Sequence, residues 1–164
     1  MPRNAAAYDE DFFAWTEEQA RLLRAGELAD IDPQNLAEEI ESVGKSDHRE
    51  IRSRLIVLLT HLLKWRFQPD ARSSSWRATI REQRDQMQAI LEDSPSLRSV
   101  VPERLARAYR RAREDAAAET ALPDTTFPDE CPFTPEQILA EDFLPEYPER
   151  RVRKAGGDGP RGRS

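Results

Sequence analysis

The sequence is short of the residues that interrupt helices or cross-link chains. Six of its 164 residues are glycine, and four of these fall in the last ten. The single cysteine, Cys131, allows no intrachain disulfide, so we expect a reducing, cytoplasmic location. No apolar run approaches the roughly 20 residues of a membrane span, because Thr60 and His61 interrupt the longest one. These absences predict a chain of long helices with no membrane partner.

Acidic residues outnumber basic ones, but the excess is unevenly distributed along the chain. The net charge is −6, whereas residues 148–164 alone carry +4 and the remainder carries −10. A dedicated nucleic-acid-binding domain is usually basic, so this balance argues against that class. We expect a single helical domain over residues 1–147, followed by a basic, disordered tail over residues 148–164.

Apolar residues recur at spacings of three and four in four stretches, the pattern of amphipathic helices. In the first stretch Phe12, Trp15 and Leu23 share one face, and Gly26 is a plausible C-terminal stop. The predicted fold class is all-α, an antiparallel four-helix bundle with a long central helix. The core helices are predicted at about 8–26, 33–67, 74–93 and 101–122.

The second helix is predicted to be the longest and to form the centre of the fold. Asp32 is its predicted N-cap and Pro33 its first helical residue. Gly44 can break this stretch into two helices, but the apolar periodicity keeps its phase across Gly44. One helix, straight or kinked, is therefore favoured over two. Its stripe consists of Leu36, Ile40, Val43, Asp47, Ile51, Leu58 and Trp65.

The C-terminal part of the domain differs in composition from the helices. Half of the 12 prolines lie in residues 123–148. Proline restricts φ and removes a backbone donor, so we predict an extended strap over residues 123–147. Thr134 and Gln137 frame a capping box, which predicts one short helix inside the strap. The phenylalanines expected to hold the strap across the bundle are Phe127, Phe133 and Phe143.

An ordered series of short motifs resembles a known family of bacterial proteins, the one catalogued as domain of unknown function 29. The resemblance covers about residues 8–146 and implies an all-helical, cytosolic bacterial domain. It brings no established activity, cofactor or catalytic residue to this chain. The motifs are 8–15 (YDEDFFAW), 36–41 (LAEEIE), 61–65 (HLLKW), 75–76 (SW), 94–97 (SPSL), 108–109 (AY), 119–120 (ET), 127–128 (FP) and 131–134 (CPFT).

Several catalytic and metal-binding patterns are missing from the sequence. A carboxylate-bridged di-metal site needs Glu-x-x-His pairs, but Lys45 stands three residues before His48 and Leu58 three before His61. A lone Cys131 in acidic surroundings favours neither a zinc site nor a thiolate nucleophile. There is no Gly-x-Ser-x-Gly and no phosphate-binding glycine loop. We therefore predict no metal, no cofactor and no catalytic residue.

Polar residues interrupt the predicted apolar faces. Glu50 and Arg54 form a favourable (i, i+4) pair, and Asp47 can reach the same guanidinium from one turn earlier. The main interpretation is a polar core layer that is satisfied internally and fixes the register of the helices. The residues assigned to this layer are Gln19, Asp47, Glu50, Arg54, Gln83 and Glu119.

A small-molecule pocket is a second interpretation, based on the aromatic and polar residues where the second helix ends and the third begins. Two tryptophans with a histidine and nearby positive charges can bind a planar or acidic ligand by stacking and charge. An ordinary core histidine inside an aromatic cluster is the competing interpretation. The candidate ligand-binding residues are His61, Lys64, Trp65, Trp76 and Arg77.

Two rows of arginines give a third interpretation, binding of phosphates. Acidic residues alternate with both rows, so a solvated, salt-bridged surface is favoured over a nucleic-acid site. The rows are Arg77, Arg81 and Arg84 on the third helix and Arg104, Arg107 and Arg111 on the fourth.

We expect a non-enzymatic domain that binds another protein through an exposed helix face or through the strap. The alternative is a small-ligand-binding or enzymatic domain that uses the region of His61, Trp65 and Trp76. Weak nucleic-acid binding through the arginine rows comes third. The sequence leaves the oligomeric state open.

Overall fold

A computed structural model of the chain describes residues 5–148, with side chains from Tyr8 onward. Over this range it has six α-helices and no β-strand, so the predicted all-α fold is confirmed. None of these helices combines the length with the apolar character that crossing a bilayer demands. Of the predicted tail, all but Pro148 lies outside the described residues. The helices are α1 (Ala5–Glu10), α2 (Phe12–Ala25), α3 (Pro33–Phe67), α4 (Ser74–Asp93), α5 (Val100–Thr120) and α6 (Pro135–Leu139).

The prediction of one helix over residues 8–26 is wrong, because Asp11 divides this stretch into α1 and α2. Asp11 has a non-helical φ of −147°, and its carboxylate accepts a hydrogen bond of 3.0 Å from the amide of Ala14. It is thus the N-cap of α2, since a side-chain acceptor satisfies an otherwise free amide of the first turn. At the other end Gly26 adopts φ 73° and closes the helix, as expected.

Helix α3 is one unbroken helix of 35 residues that runs through Gly44. Asp32 caps it by accepting from the amide of Asn35, and Pro33 occupies its first turn. At 1.5 Å per residue its length is about 50 Å. The fourth core helix ends at Thr120, two residues earlier than predicted, because Ala121 adopts a left-handed conformation with φ 56°.

The core lies against the second half of α3. Ile51, Leu55, Leu58, Leu59 and Leu62 are fully inaccessible to solvent there. Helix α4 contributes large apolar side chains, whereas α5 contributes mainly small ones, which let the backbones of α3 and α5 approach closely. The buried residues from these two helices include Ile80, Met87 and Leu91 of α4 and Val101, Ala108, Tyr109, Ala112 and Ala116 of α5.

The side-chain contacts of α4 show how far it reaches along α3. Arg54 donates to the side chain of Gln83, and the Lys64 ammonium lies 4.6 Å from the centroid of the Trp76 ring. Since positions rise on α4 as they fall on α3, the two helices are antiparallel. Asp93, the last residue of α4, therefore lies opposite about residue 45 of α3.

Helix α5 runs parallel to α3 and starts at about the level where α4 ends. The Thr60 hydroxyl lies 3.5 Å from the carbonyl oxygen of Ala112, and Lys64 pairs with Glu119. Counting back along α5 places Val100 opposite about residue 48 of α3. The α4–α5 hairpin thus covers only part of α3, and residues 33–46 extend beyond it.

The extending part of α3 pairs with the N-terminal helices instead. Gln19 accepts a 2.7 Å hydrogen bond from the amide of Asp32, and the Tyr8 hydroxyl donates to Glu39 over 2.5 Å. These two contacts make α2 antiparallel to this part of α3. Trp15 and Leu22 of α2 are buried. We call residues 5–46, which contain α1, α2 and the first part of α3, the arm.

The arm explains why the predicted four-helix bundle is not confirmed. Among the described residues, the main core cluster draws its members from α3, α4, α5 and the strap, and none from α2. Helix α2 instead contacts the end of α3 that α4 and α5 leave uncovered. The architecture is a three-helix core with a two-helix arm at one end.

The strap follows the predicted course across the core. Phe127, Phe133 and Ile138 are buried against the helices, and Phe143 is half-buried against Phe133 with ring centroids 6.0 Å apart. The capping box at Thr134 is present and begins the short helix α6.

Polar side chains of α4 and α5 hold the strap through its backbone. Tyr109 donates to the carbonyl of Pro128 over 2.6 Å, and Arg113 donates to the carbonyl of Asp124. Arg84 is only 4% exposed, and its guanidinium donates to carbonyls of the strap at 2.8, 3.2 and 3.4 Å. Burial lowers the pKa of Arg84, but arginine keeps its charge at neutral pH. The three acceptors belong to Ile138, Glu141 and Gln137.

We predict that alanine substitutions at the two glycines of the arm have opposite effects on the stability of the arm. Gly44→Ala places a methyl group in open space inside a helix and should stabilise the arm by about 0.5–1 kcal/mol. Gly26→Ala forces a side chain into φ 73° and should destabilise it by about 1 kcal/mol. Amide hydrogen exchange of α2 and of residues 33–46 measures both. Effects of the same sign would contradict the continuous helix and its glycine cap.

Loss of the Arg84 guanidinium should loosen the strap. Arg84→Met keeps the apolar stem but removes three bonds to the strap and leaves the buried carbonyl of Ile138 without this donor, so the free energy of unfolding should fall by about 2–4 kcal/mol. The matched control is Arg81→Met in the same helix, where the side chain is 77% exposed. The control should change stability by less than about 0.5 kcal/mol in urea titrations followed by circular dichroism. Equal losses in the two variants would refute the anchoring role of Arg84.

Candidate functional site

The α3–α4 corner brings the five predicted ligand-binding residues together. Lys64 and Trp65 lie in the last turn of α3, and Trp76 and Arg77 lie in the first turn of α4. The Ser73 hydroxyl caps α4 by accepting from the amide of Trp76 at 3.2 Å. Only a few residues connect the two helices, so their facing ends are held side by side.

Lys64 has partners for its charge on two sides. Its ammonium lies 2.6 Å from a carboxylate oxygen of Glu119 and 4.6 Å from the Trp76 ring centroid. The Lys64 side chain is only 8% exposed, whereas Glu119 is half-exposed. A cation over a tryptophan face gains about 1–2 kcal/mol when it is partly desolvated. Lys64 and Trp76 therefore satisfy each other and tie α3 to α4 and α5.

Trp65 is covered by two further cations. The guanidinium carbons of Arg72 and Arg77 lie 5.1 and 5.5 Å from its ring centroid. Arg72 also donates from Nε to the carbonyl of Trp65 over 2.8 Å. These contacts stabilise the turn between α3 and α4, and they occupy the ring face that a stacked ligand needs.

His61 lies one turn before Lys64 and is half-buried. Its Nδ1 is 2.9 Å from the carbonyl oxygen of Val57, which assigns the proton to Nδ1 and leaves Nε2 as an acceptor. Burial lowers the pKa of His61, and the charge of Lys64 lowers it further, against the opposing effects of Val57 and Glu119. The imidazole is therefore neutral at pH 7.

The six residues predicted as one polar core layer lie in three separate groups. Arg54 donates twice to one oxygen of Glu50, at 2.9 and 2.7 Å, and once to Gln83 at 3.3 Å. Glu119 pairs with Lys64, and Gln19 is in the arm. Among the described hydrogen bonds of Arg54 none goes to Asp47, which is half-buried one turn before Glu50.

The prediction of an exposed arginine row on the third helix, which is α4, is wrong for one of its three residues. Arg84 points into the protein and binds the strap, so it cannot face a phosphate. Arg81 is paired with Asp85, and Arg111 with Asp115, at 3.7 and 3.1 Å. These two exposed guanidinium groups each have a carboxylate of their own helix beside them, which disfavours phosphate binding at both positions.

Cys131 borders a concavity of about 450 Å³ between α5 and the strap. Burial raises the pKa of the Cys131 thiol, and its sulfur lies 3.5 Å from the carbonyl oxygen of Phe133. A protonated, half-buried thiol is a weak nucleophile. Among the residues that the structure describes, no three His, Cys, Asp or Glu side chains are grouped as metal ligands.

The surface that the sequence did not indicate is the apolar side of the arm. Ile40 and Val43 are 71% and 68% exposed, although their stripe is buried farther along α3. Phe13 is 70% exposed, and Phe12 is half-exposed while stacking on Trp15 at 5.9 Å. We call the exposed apolar side chains of the arm the arm patch. Its members are Phe12, Phe13, Leu23, Leu28, Ile40 and Val43.

Part of the arm patch converges at one end of the arm. The Phe12 and Tyr8 rings meet edge to face with centroids 5.6 Å apart, and Tyr8 donates to Glu39 on α3. Ile40 and Val43 follow Glu39 within one turn. The bond to Glu39 raises the pKa of Tyr8 to about 12, so the phenol keeps its proton and its bond.

The arm also concentrates negative charge. Residues 5–46 contain 11 acidic and three basic side chains, a net charge of −8. The much longer stretch of residues 47–148 contains 18 acidic and 15 basic ones, a net charge of −3. The arm therefore offers exposed apolar groups inside a negative field.

The depressed pKa of His61 predicts a pH-dependent stability. The unfolded chain binds a proton near pH 6.5 more readily than the native His61 does, so the free energy of unfolding should fall as the pH drops below about 6.5. The free energy of unfolding of His61→Gln should fall less steeply between pH 7 and 5 than that of the wild type. Above pH 7.5 the two should follow the same trend. Urea titrations across this range measure both slopes. Identical slopes would rule out the buried neutral imidazole.

Comparison with known proteins identifies the family of the chain but gives no activity. A family model described as "Domain of unknown function DUF29" matches residues 7–144. No curated protein and no solved structure matches the chain. The matched range includes the core and nearly all of the arm and of the strap. The chain belongs to the DUF29 family.

Proposed function

We propose that this chain is a non-enzymatic protein-interaction domain and that the arm patch is its binding surface. The observation that carries the proposal is the exposure of Phe13, Ile40 and Val43 at about 70% each. Exposed large apolar side chains that are neighbours on a surface are typical of protein-binding sites, and Ile40 and Val43 lie one turn apart on α3. Six of the eight large apolar side chains that are exposed in the described chain belong to the arm.

The core supports this assignment by contrast. The same α3 stripe is fully buried from Ile51 onward, where α4 and α5 cover it. Burial of one large aliphatic side chain contributes about 1.5–3 kcal/mol, so a partner that covers Ile40 and Val43 gains an appreciable free energy. The ligand-site alternative at His61 has weaker support, because Lys64 and Trp76 already contact each other.

The bacterial cytosol expected from the sequence remains part of the proposal. Its support is the family resemblance and the lone thiol of Cys131.

Substitutions in the arm should abolish partner binding without unfolding the domain. The Ile40→Ser/Val43→Ser variant removes exposed apolar groups, so its circular dichroism and melting temperature should stay close to those of the wild type. Tagged full-length chains are incubated with lysate of the producing cells, and bound proteins are quantified by mass spectrometry. Proteins that the wild type binds should be recovered with the double variant in amounts at least about tenfold lower, the equivalent of about 1.4 kcal/mol.

The matched control for Val43→Ser is Val57→Ser, which makes the same change in the same helix. Val57 lies outside the arm and is 37% exposed. It should retain the bound proteins, while Val43→Ser should lose part of them. If the double variant binds the same proteins as the wild type, the arm patch is not the binding surface.

A further inference from the structure

We infer that the partner presents a basic amphipathic helix to the arm, an inference that rests on the proposed function of the arm patch. The first ground is the continuity of α3. Its apolar stripe continues from the core into the arm, and in the core the elements that cover it are helices. Helix α2 contacts the start of α3 through Gln19, and α1 contacts α3 through Tyr8, while Ile40 and Val43 stay exposed. A further helix with apolar residues at spacings of three and four fits such a two-helix surface.

The second ground is the charge around the arm patch. Glu17 stands one turn after Phe13, and Glu38 and Glu41 flank Ile40; all three glutamates are exposed. Glu41 pairs with Lys45 at 3.3 Å. Within the described part of the chain, no basic side chain forms an ion pair with Glu17 or Glu38. Lysine and arginine beside the apolar face of an incoming helix can pair with these carboxylates.

The same charge disfavours two other occupants. A second copy of this chain would bring two arms of net charge −8 together, and like charges across an interface cost binding free energy. An anionic lipid surface would repel the arm for the same reason. A positively charged partner is attracted by the field and also covers the exposed apolar groups.

The test uses defined peptides and the full-length chain. The probe is a fluorescein-labelled peptide of about 18 residues, five helical turns, made of leucine and lysine with the leucines on one face. Two controls separate charge from apolar pattern. One replaces every lysine by glutamate, and the other keeps the composition but distributes the leucines around the helix. Binding is followed by fluorescence anisotropy at about 50 and 300 mM NaCl.

The leucine–lysine peptide should bind at least about tenfold more tightly than either control, and more weakly at the higher salt concentration. Ile40→Ser/Val43→Ser should weaken its binding at least about tenfold, and Val57→Ser should leave it unchanged. Glu17→Gln/Glu38→Gln should weaken binding mainly at low salt, while the circular dichroism stays that of the wild type. Equal affinity for the lysine and glutamate peptides would overturn the inference, as would equal binding by wild type and Ile40→Ser/Val43→Ser.

The remaining outcomes separate this inference from the proposed function. If lysate proteins require Ile40 and Val43 but the leucine–lysine peptide does not bind, the arm is an interaction surface and the basic helix is wrong. A dimer in sedimentation equilibrium that Ile40→Ser/Val43→Ser dissociates would instead identify a second copy as the occupant. Cosedimentation with phosphatidylserine–phosphatidylcholine vesicles, lost in the same variant, would assign the arm patch to lipid. Either result overturns the basic helix.

Discussion

Helix α3 is about 50 Å long, whereas α4 and α5, at 20 and 21 residues, are each about 30 Å long. The α4–α5 hairpin therefore cannot cover the apolar stripe of α3 along its whole length. Where it does, from Ile51 onward, the stripe forms the core. Where it does not, the chain adds α2 on one side and leaves the rest of the stripe in solvent. The core residues of α3 and the exposed Ile40 and Val43 thus belong to one stripe and differ only in what packs against them.

Features with a local physical cause could be predicted from the sequence. Asp32 and Pro33 begin α3 because a side-chain acceptor and a preset φ suit the first turn, whatever lies nearby. The capping box at Thr134 follows the same logic. Helix α3 passes Gly44 because one glycine costs only about 1 kcal/mol in a helix interior, which long flanking turns outweigh. The meeting of Lys64 and Trp76 was also predictable, since the connection between their helices is short.

Features that depend on the register of distant elements could not be predicted. Ile40 and Ile51 belong to the same stripe, and neither residue has a property that shows which of the two a second helix will cover. Arg84 was assigned to an exposed row because arginine is usually exposed. Its burial depends on carbonyls more than 50 positions away in the chain. Glu119 likewise pairs with Lys64 from α5, and the sequence pattern of α3 alone cannot predict that contact.

The strap has a consequence for the order in which the chain folds. Its anchors come from both α4, through Arg84, and α5, through Tyr109 and Arg113. These side chains converge on the strap only after the two helices have paired on α3. Helix α3 pairs both with α4, the next helix in the chain, and with α5, the one after it. The strap needs the surface that these pairs form. During synthesis from the N-terminus, the ribosome also releases the strap after all three core helices. The three-helix core therefore forms first with an apolar side still open, and the strap closes that side as the final step.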